Sequence, residues 1–148
     1  MELKELYQEI ILDHAKNPRN KGKCESFNHD AKAHNPLCGD KVHIYLKLDK
    51  NQNITGLSFE GDGCAISLAS ASILTDTLKG KDLSFAKKVV EDFLNMLTKK
   101  TKITLNSLNE DQITTITSLS GVQEFPMRIK CATMAWHTLL AAIGKKAN

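Results

Sequence analysis

Four side chains in this 148-residue chain have the chemistry of metal ligands and fall where they could converge. Asn35-Pro36-Leu37-Cys38-Gly39-Asp40 runs directly into an alternating apolar stretch, Gly61-Asp62-Gly63-Cys64 runs into a small-residue helical pattern, and Lys130-Cys131 lies near the start of the last helical pattern. A cysteine at an element boundary can point into a shared crevice without breaking a core, and helix N-termini beside Cys64 and Cys131 would favour their thiolates. Three thiolates and the Asp40 carboxylate would complete a four-coordinate site. Zinc accepts tetrahedral sulfur and oxygen, and three thiolates also suit an iron–sulfur cluster, so ligand type alone does not choose. The spacings of 26 and 67 positions match no compact zinc motif, which keeps unrelated buried or incidental cysteines as a competing explanation.

The remaining candidates are weaker. Cys24, between Lys23 and Glu25 in a Lys- and Asn-rich stretch, reads as a noncatalytic surface or partly buried thiol. His34 precedes Cys38 by four residues, but a surface or hydrogen-bonded role is the stronger expectation; His43 should point outward with Lys41 and Tyr45; His29 and His137 carry no specific argument. Trp136 is expected to anchor the core from the final helix.

The elements that must position the ligands are legible from periodicity. Leu3, Leu6, Tyr7, Ile10, Ile11 and His14 recur at helical spacing over 2–15, and Asn17-Pro18 should end that helix. Residues 21–37 have no clean period, although Ala31 and Ala33 fit an edge strand. Val42, Ile44, Leu46 and Leu48 alternate with polar neighbours, and Ile54–Glu60 reads as a returning strand with Leu57 and Phe59 inward. Small and apolar residues from Cys64 to Leu78 predict a helix packed closely on the sheet, with Ile66, Ala69, Ile73, Leu74 and Thr77 on one side. Asp82 should cap a helix reaching about Thr98, a short helix is expected over Asn109–Leu119, and Pro126 should open a last helix to about Ile143 with Ile129, Ala132, Trp136, Leu139, Leu140 and Ile143 inward. The expected fold is α+β: one domain over 1–148, with a small antiparallel three-stranded sheet covered on one side by helices.

Composition narrows the classes of function. The chain is 41% hydrophobic and 25% charged with a net charge of +3, as expected of a globular domain rather than a disordered or repetitive one. Its lysines between 79 and 102 are spread through a region that also contains Asp82, Glu91 and Asp92, and five Phe, two Tyr and one Trp supply no stacking platform, so nucleic-acid binding is not expected. No apolar run approaches the roughly 20 residues of a membrane span. The start, Met1-Glu2-Leu3-Lys4-Glu5, lacks the pattern of an export signal, which makes the cytoplasm the default expectation; thiols there stay reduced and serve as ligands, nucleophiles or buried small residues. No long exposed apolar stripe is evident, and a monomer is expected.

Several of these motifs together resemble the IscU/NifU-N family of iron–sulfur cluster assembly proteins, most closely its SufU branch. The resemblance runs through Leu6-Tyr7, Asp13-His14, Asn17-Pro18-Arg19-Asn20, the segment 35–40, Phe59-Glu60-Gly61-Asp62-Gly63-Cys64-Ala65-Ile66-Ser67, Ser70-Ala71-Ser72, Gly121-Val122, Phe125-Pro126, and Arg128-Ile129-Lys130-Cys131-Ala132-Thr133 with Trp136. It implies that Cys38, Cys64 and Cys131 are the essential cysteines and Asp40 the acidic metal ligand. Two departures separate this chain from IscU-type scaffolds: a longer interval between Cys64 and Cys131, including the segment Thr101–Asn109, and Lys130 where those scaffolds carry a histidine. A protonated lysine is not a metal ligand, which weakens a direct cluster-scaffold role.

The SufU resemblance further implies a tightly bound zinc and sulfurtransferase action. A PLP-dependent, SufS-type cysteine desulfurase would form a persulfide, one of its histidines would replace Cys38 on zinc, and Cys38 would take the sulfur for a downstream iron–sulfur assembly complex. The alternative implied by the wider family is a scaffold carrying iron as a labile [2Fe–2S] cluster on the same cysteines. Arg128 and Lys130 are candidates to guide docking or stabilise anionic sulfur, and His14 to lie in the desulfurase contact; at i and i+2, Arg128 and Lys130 should face different ways.

Overall fold

A computed structural model describes residues 2–103 and 107–145. Part of the expected 101–109 segment, residues 104–106, lies outside the described residues, as does Met1. Helix α1 (Leu3–Lys16) leads to β1 (His29–Asn35), β2 (Asp40–Leu48) and β3 (Ile54–Asp62). Helices α2 (Ala65–Leu78), α3 (Leu83–Lys99) and α4 (Glu110–Thr117), a 3₁₀ turn over Ser118–Val122, and α5 (Pro126–Ile143) complete the order.

The three strands form one antiparallel sheet in the order β1-β2-β3. Helices α2 and α5 pack on one of its faces, with α1 against α2 and α3 against α5. This is the α+β arrangement that the apolar periodicities predict.

Local chemistry sets the boundaries. The Asp82 carboxylate accepts from the Phe85 N–H and starts α3, while Asn109 and Gln112 satisfy one another's backbone N–H groups in a capping box that starts α4. Pro126 occupies the first turn of α5, where its missing N–H costs nothing. At the centre, Trp136 is fully buried, stacks on Phe93 with ring centroids 3.8 Å apart, and donates its indole N–H to Ser70 Oγ at 2.8 Å. Ser70 Oγ in turn donates to the Ala132 carbonyl, locking α2 to α5 beside Cys131.

Four expectations change. Strand β2 includes Asp40 rather than starting just after it, because β1 pairs with it down to Asn35 opposite Asp40; residues 36–39 are therefore the turn of a second hairpin. On β2, strict alternation fails at Tyr45, which is buried under the edge of Phe27 and donates its hydroxyl to Glu60. His43 is only partly exposed: it stacks on Tyr45 and its Nε2 lies 2.7 Å from Asp30 Oδ2. Leu140, expected inward, is exposed on the outer side of α5.

Candidate metal centre

Asp40 is the geometric root of the site. It opens β2 and is buried at 1% exposure, with Oδ1 accepting the Cys64 backbone N–H at 2.9 Å and Oδ2 lying 3.7 Å from Cys64 Sγ. The register of β2 and β3, with Lys41 opposite Asp62, carries the chain from β3 over Asp40 and into α2. Gly63 makes that passage possible. A Cβ there would meet Asp40 Oδ1 at 2.5 Å and Cγ at 2.9 Å, so a side chain at 63 would displace the carboxylate.

Cys64 is the N-cap of α2, its sulfur accepting the Ser67 N–H at 3.5 Å. Cys131 enters from α5 and is buried, with only 5% exposure. Cys38 sits at the tip of the β1–β2 turn, exposed, its Sγ 4.0 Å from the Asn35 carbonyl. Gly39 follows at a φ of +76°, a left-handed conformation that closes the turn and that glycine adopts without strain.

One ligand atom each from Cys38, Asp40 and Cys131 falls within 4.8 Å of the other two, a spacing at which a single ion can bridge them. Cys64 does not join that mutual trio, but it borders it through Asp40 and Cys131. Thiols and a partly desolvated carboxylate fit a soft divalent ion such as zinc, and equally the iron of a cluster.

Cys131 departs from the expectation of thiolate character at a helix N-terminus. It is the sixth residue of α5, beyond the first turn where the helix dipole is felt. Burial, followed by hydrogen bonding and charge from Asp40 and Cys64, raises its thiol well above the ordinary range when no cation is bound.

The other sequence candidates separate. Arg128 lines an apolar groove with Leu3, Tyr7, Ile66 and Phe125, whereas Lys130 lines a cleft between β1 and α5, in agreement with their predicted divergence. His14 is buried, its Nδ1 2.7 Å from Ser72 Oγ on α2, so its ring directly contacts the helix seam. Burial lowers its pKa, an effect reinforced by the Arg19 charge. His34 is exposed and outside the ligand trio, and Cys24 is half-buried with its sulfur against Gly56. Sequence reasoning missed the contact of Gly63 with Asp40. The Gly61-Asp62-Gly63 run was its only signal, and the β2–β3 register is needed to read it.

Comparison with known proteins agrees with this geometry. A family profile described as the NifU-like N terminal domain matches residues 6–147. The chain is 41% identical to the zinc-dependent sulfurtransferase SufU of Bacillus subtilis, over 95% of this chain and 91% of the relative. It is 35% identical to the iron-sulfur cluster assembly scaffold protein IscU of Streptococcus pyogenes, over 99% of this chain and 87% of the relative. A crystal structure of a putative iron-sulfur cluster assembly scaffold protein for the SUF system from Fervidobacterium islandicum superposes with a TM-score of 0.80 at 31% identity, covering 94% of this chain and 97% of that one. With the fold, the order of the motifs and the clustered cysteines in agreement, the chain belongs to the NifU-like N-terminal domain family that includes IscU- and SufU-type proteins.

Proposed function

We propose that this chain acts, as one domain over 1–148, as a zinc-dependent sulfurtransferase of iron–sulfur cluster assembly, taking persulfide sulfur onto Cys38 from a PLP-dependent cysteine desulfurase. The observation that carries this reading is the unequal setting of the ligand trio: Cys38 is exposed on a turn, while Asp40 and Cys131, within 4.8 Å of it and of each other, are buried. The 41% identity to a protein named as a zinc-dependent sulfurtransferase supports the same choice.

Cys38, Asp40, Cys64 and Cys131 would hold the ion, which would supply a positive charge that keeps thiols ionised near neutral pH. The Cys38 thiolate attacks the outer sulfur of the donor persulfide. The donor S–S bond breaks, the donor cysteine leaves as a thiolate, and Cys38 carries the new persulfide, with no net redox change. Asp40 and the two deeper cysteines keep the site assembled while the Cys38 turn reaches outward. Arg128 and Lys130, exposed on the first turns of α5, supply positive charge for docking and for the anionic sulfur. His14 would contribute by fixing α1 against α2 at the edge of the docking face. The sulfur would then pass to a downstream assembly complex.

A second reading has its own support. Similarity over nearly the whole chain to a protein named as an IscU scaffold, together with Cys38 and Cys131 clustered on Asp40 and Cys64 bordering them, fits assembly of a labile [2Fe–2S] cluster at this site.

The deciding measurement is alanine formation by the cognate desulfurase with added zinc-loaded, iron-free protein and with its Cys38→Ala variant. Stimulation of at least about tenfold (roughly 1.4 kcal/mol in barrier) by the parent and none by the variant is the expected outcome. Absence of stimulation by a folded, zinc-loaded parent would transfer the case to the cluster scaffold.

A further inference from the structure

Beside the cysteines, an open cleft of about 500 Å³ runs between β1 and α5, and its charge is one-sided. Lys32 and His34 reach it from β1, Lys130 and His137 from α5, and no aspartate or glutamate lines it. Among the described residues neither Lys32 nor Lys130 enters an ion pair. Asp30, on the same face of β1 as Lys32 and His34, is already engaged 2.7 Å from His43 Nε2, and Glu60 takes the Tyr45 hydroxyl. The cleft is lined by none of the four ligand residues but by their chain neighbours. Asn35 and Pro36 line it, the Asn35 carbonyl lies 4.0 Å from Cys38 Sγ, and Lys130 and Thr133 flank the buried Cys131.

We infer that this cleft seats a low-molecular-mass thiol bearing carboxylates, which removes sulfur from Cys38. The inference rests on the proposal that Cys38 carries a persulfide. Two lysine charges and the ring N–H groups of two histidines offer carboxylates charge-assisted hydrogen bonds, and the volume falls within the about 300–1,000 Å³ of small-ligand sites. Met134 and Ala141 provide apolar floor for a short carbon skeleton. Once seated, the ligand's thiolate attacks the outer sulfur of the Cys38 persulfide. The bond between that sulfur and Cys38 Sγ breaks, Cys38 departs as a thiolate, and the small thiol leaves as its persulfide. Electrons and atoms balance without an added oxidant or reductant.

Such seating must appear as a charge preference. Protein loaded at Cys38 with labelled sulfur is mixed with mercaptosuccinate, 2-mercaptoethanol or cysteamine, and each unloading rate is divided by that thiol's rate with a free small-molecule persulfide. The dicarboxylate is expected to gain about tenfold over cysteamine, equivalent to about 1.4 kcal/mol, and the gain should fall to within about twofold in Lys32→Gln/His137→Gln while Cys38 loading stays at the parent level. A parent ratio near one, or a gain untouched by the double variant, would overturn the inference. Unloaded protein supplies an independent reading: succinate should shift the amide resonances of Ala33, Thr133 and His137 in the parent and not in the double variant. Failure of Cys38 to load while succinate binds at the cleft would count against the sulfurtransferase proposal; absence of succinate shifts would count against the cleft itself.

Discussion

The two walls of the metal centre use the same kind of side chain under opposite constraints. On the inner wall, Cys131 is buried in α5, Cys64 caps α2, and Asp40 is held by the Cys64 N–H. Behind them, the Trp136–Ser70–Ala132 hydrogen bonds tie α2 to α5. On the outer wall, Cys38 stands exposed at a turn, with the Asn35 carbonyl at 4.0 Å as its neighbour. Holding an ion and exchanging sulfur make conflicting demands, since retention favours buried, fixed donors and exchange needs an accessible nucleophile. For the sulfurtransferase proposed above, placing the demands on different elements would let one site meet both.

The largest expected contrast is in thiol reactivity. In protein stripped by a chelator and treated with iodoacetamide at pH 8, Cys38 should be alkylated about 100-fold faster than Cys131, as followed by peptide mass spectrometry. Two effects act in the same direction: burial blocks access to Cys131, and its raised pKa leaves less thiolate at that pH. Comparable rates would mean that the inner wall opens without metal, and the division between walls would collapse.

Gly63→Ala attacks the inner wall without removing a ligand. The added methyl would meet Asp40 Oδ1 at 2.5 Å, and the carboxylate must turn away from the Cys64 N–H or the β3–α2 passage must shift. Losses from disturbing an outer support of a metal ligand run at about 10–100-fold in affinity. Competition against a chromophoric chelator should show such a loss, and zinc affinity unchanged from the parent would show that Asp40 needs no fixed support.

Much of this division can be traced to the sequence, and the untraceable part has a physical cause. Among the described residues the helices, β2 and β3 follow from apolar period or capping chemistry, because these signals are local, whereas β1 has only Ala31 and Ala33 to suggest it. Asp82 and Asn109 start helices through bonds to residues three positions away. Tyr45 defeats the period because its fate depends on distant partners: Phe27 covers it and Glu60 accepts its hydroxyl. The ligands could be nominated from residue type and motif. Their relative depth could not, since it depends on how α5 lies against β1 and β2. Cys131 looked like a helix-start thiol, whereas its sixth position in α5 puts it beyond the first turn and into the core.

Gly39→Ala tests the outer wall with the smallest perturbation. Gly39 has a φ of +76°, and a Cβ there would have no atom within 4 Å, so the substitution introduces backbone strain and no clash. That strain costs about 1–2 kcal/mol for an L-residue in the left-handed region. For a domain of this size each kcal/mol lowers Tm by about 2–4 °C, and calorimetry of the metal-free protein should find a fall of that order. If the outer wall is the adjustable one, the turn relaxes around the strain and zinc affinity changes by less than about threefold, far below the effect of Gly63→Ala. Equal losses of zinc from the two alanine variants would instead make the Cys38 turn as rigid a support as the inner wall, and its exposure alone would then have to account for the proposed sulfur exchange.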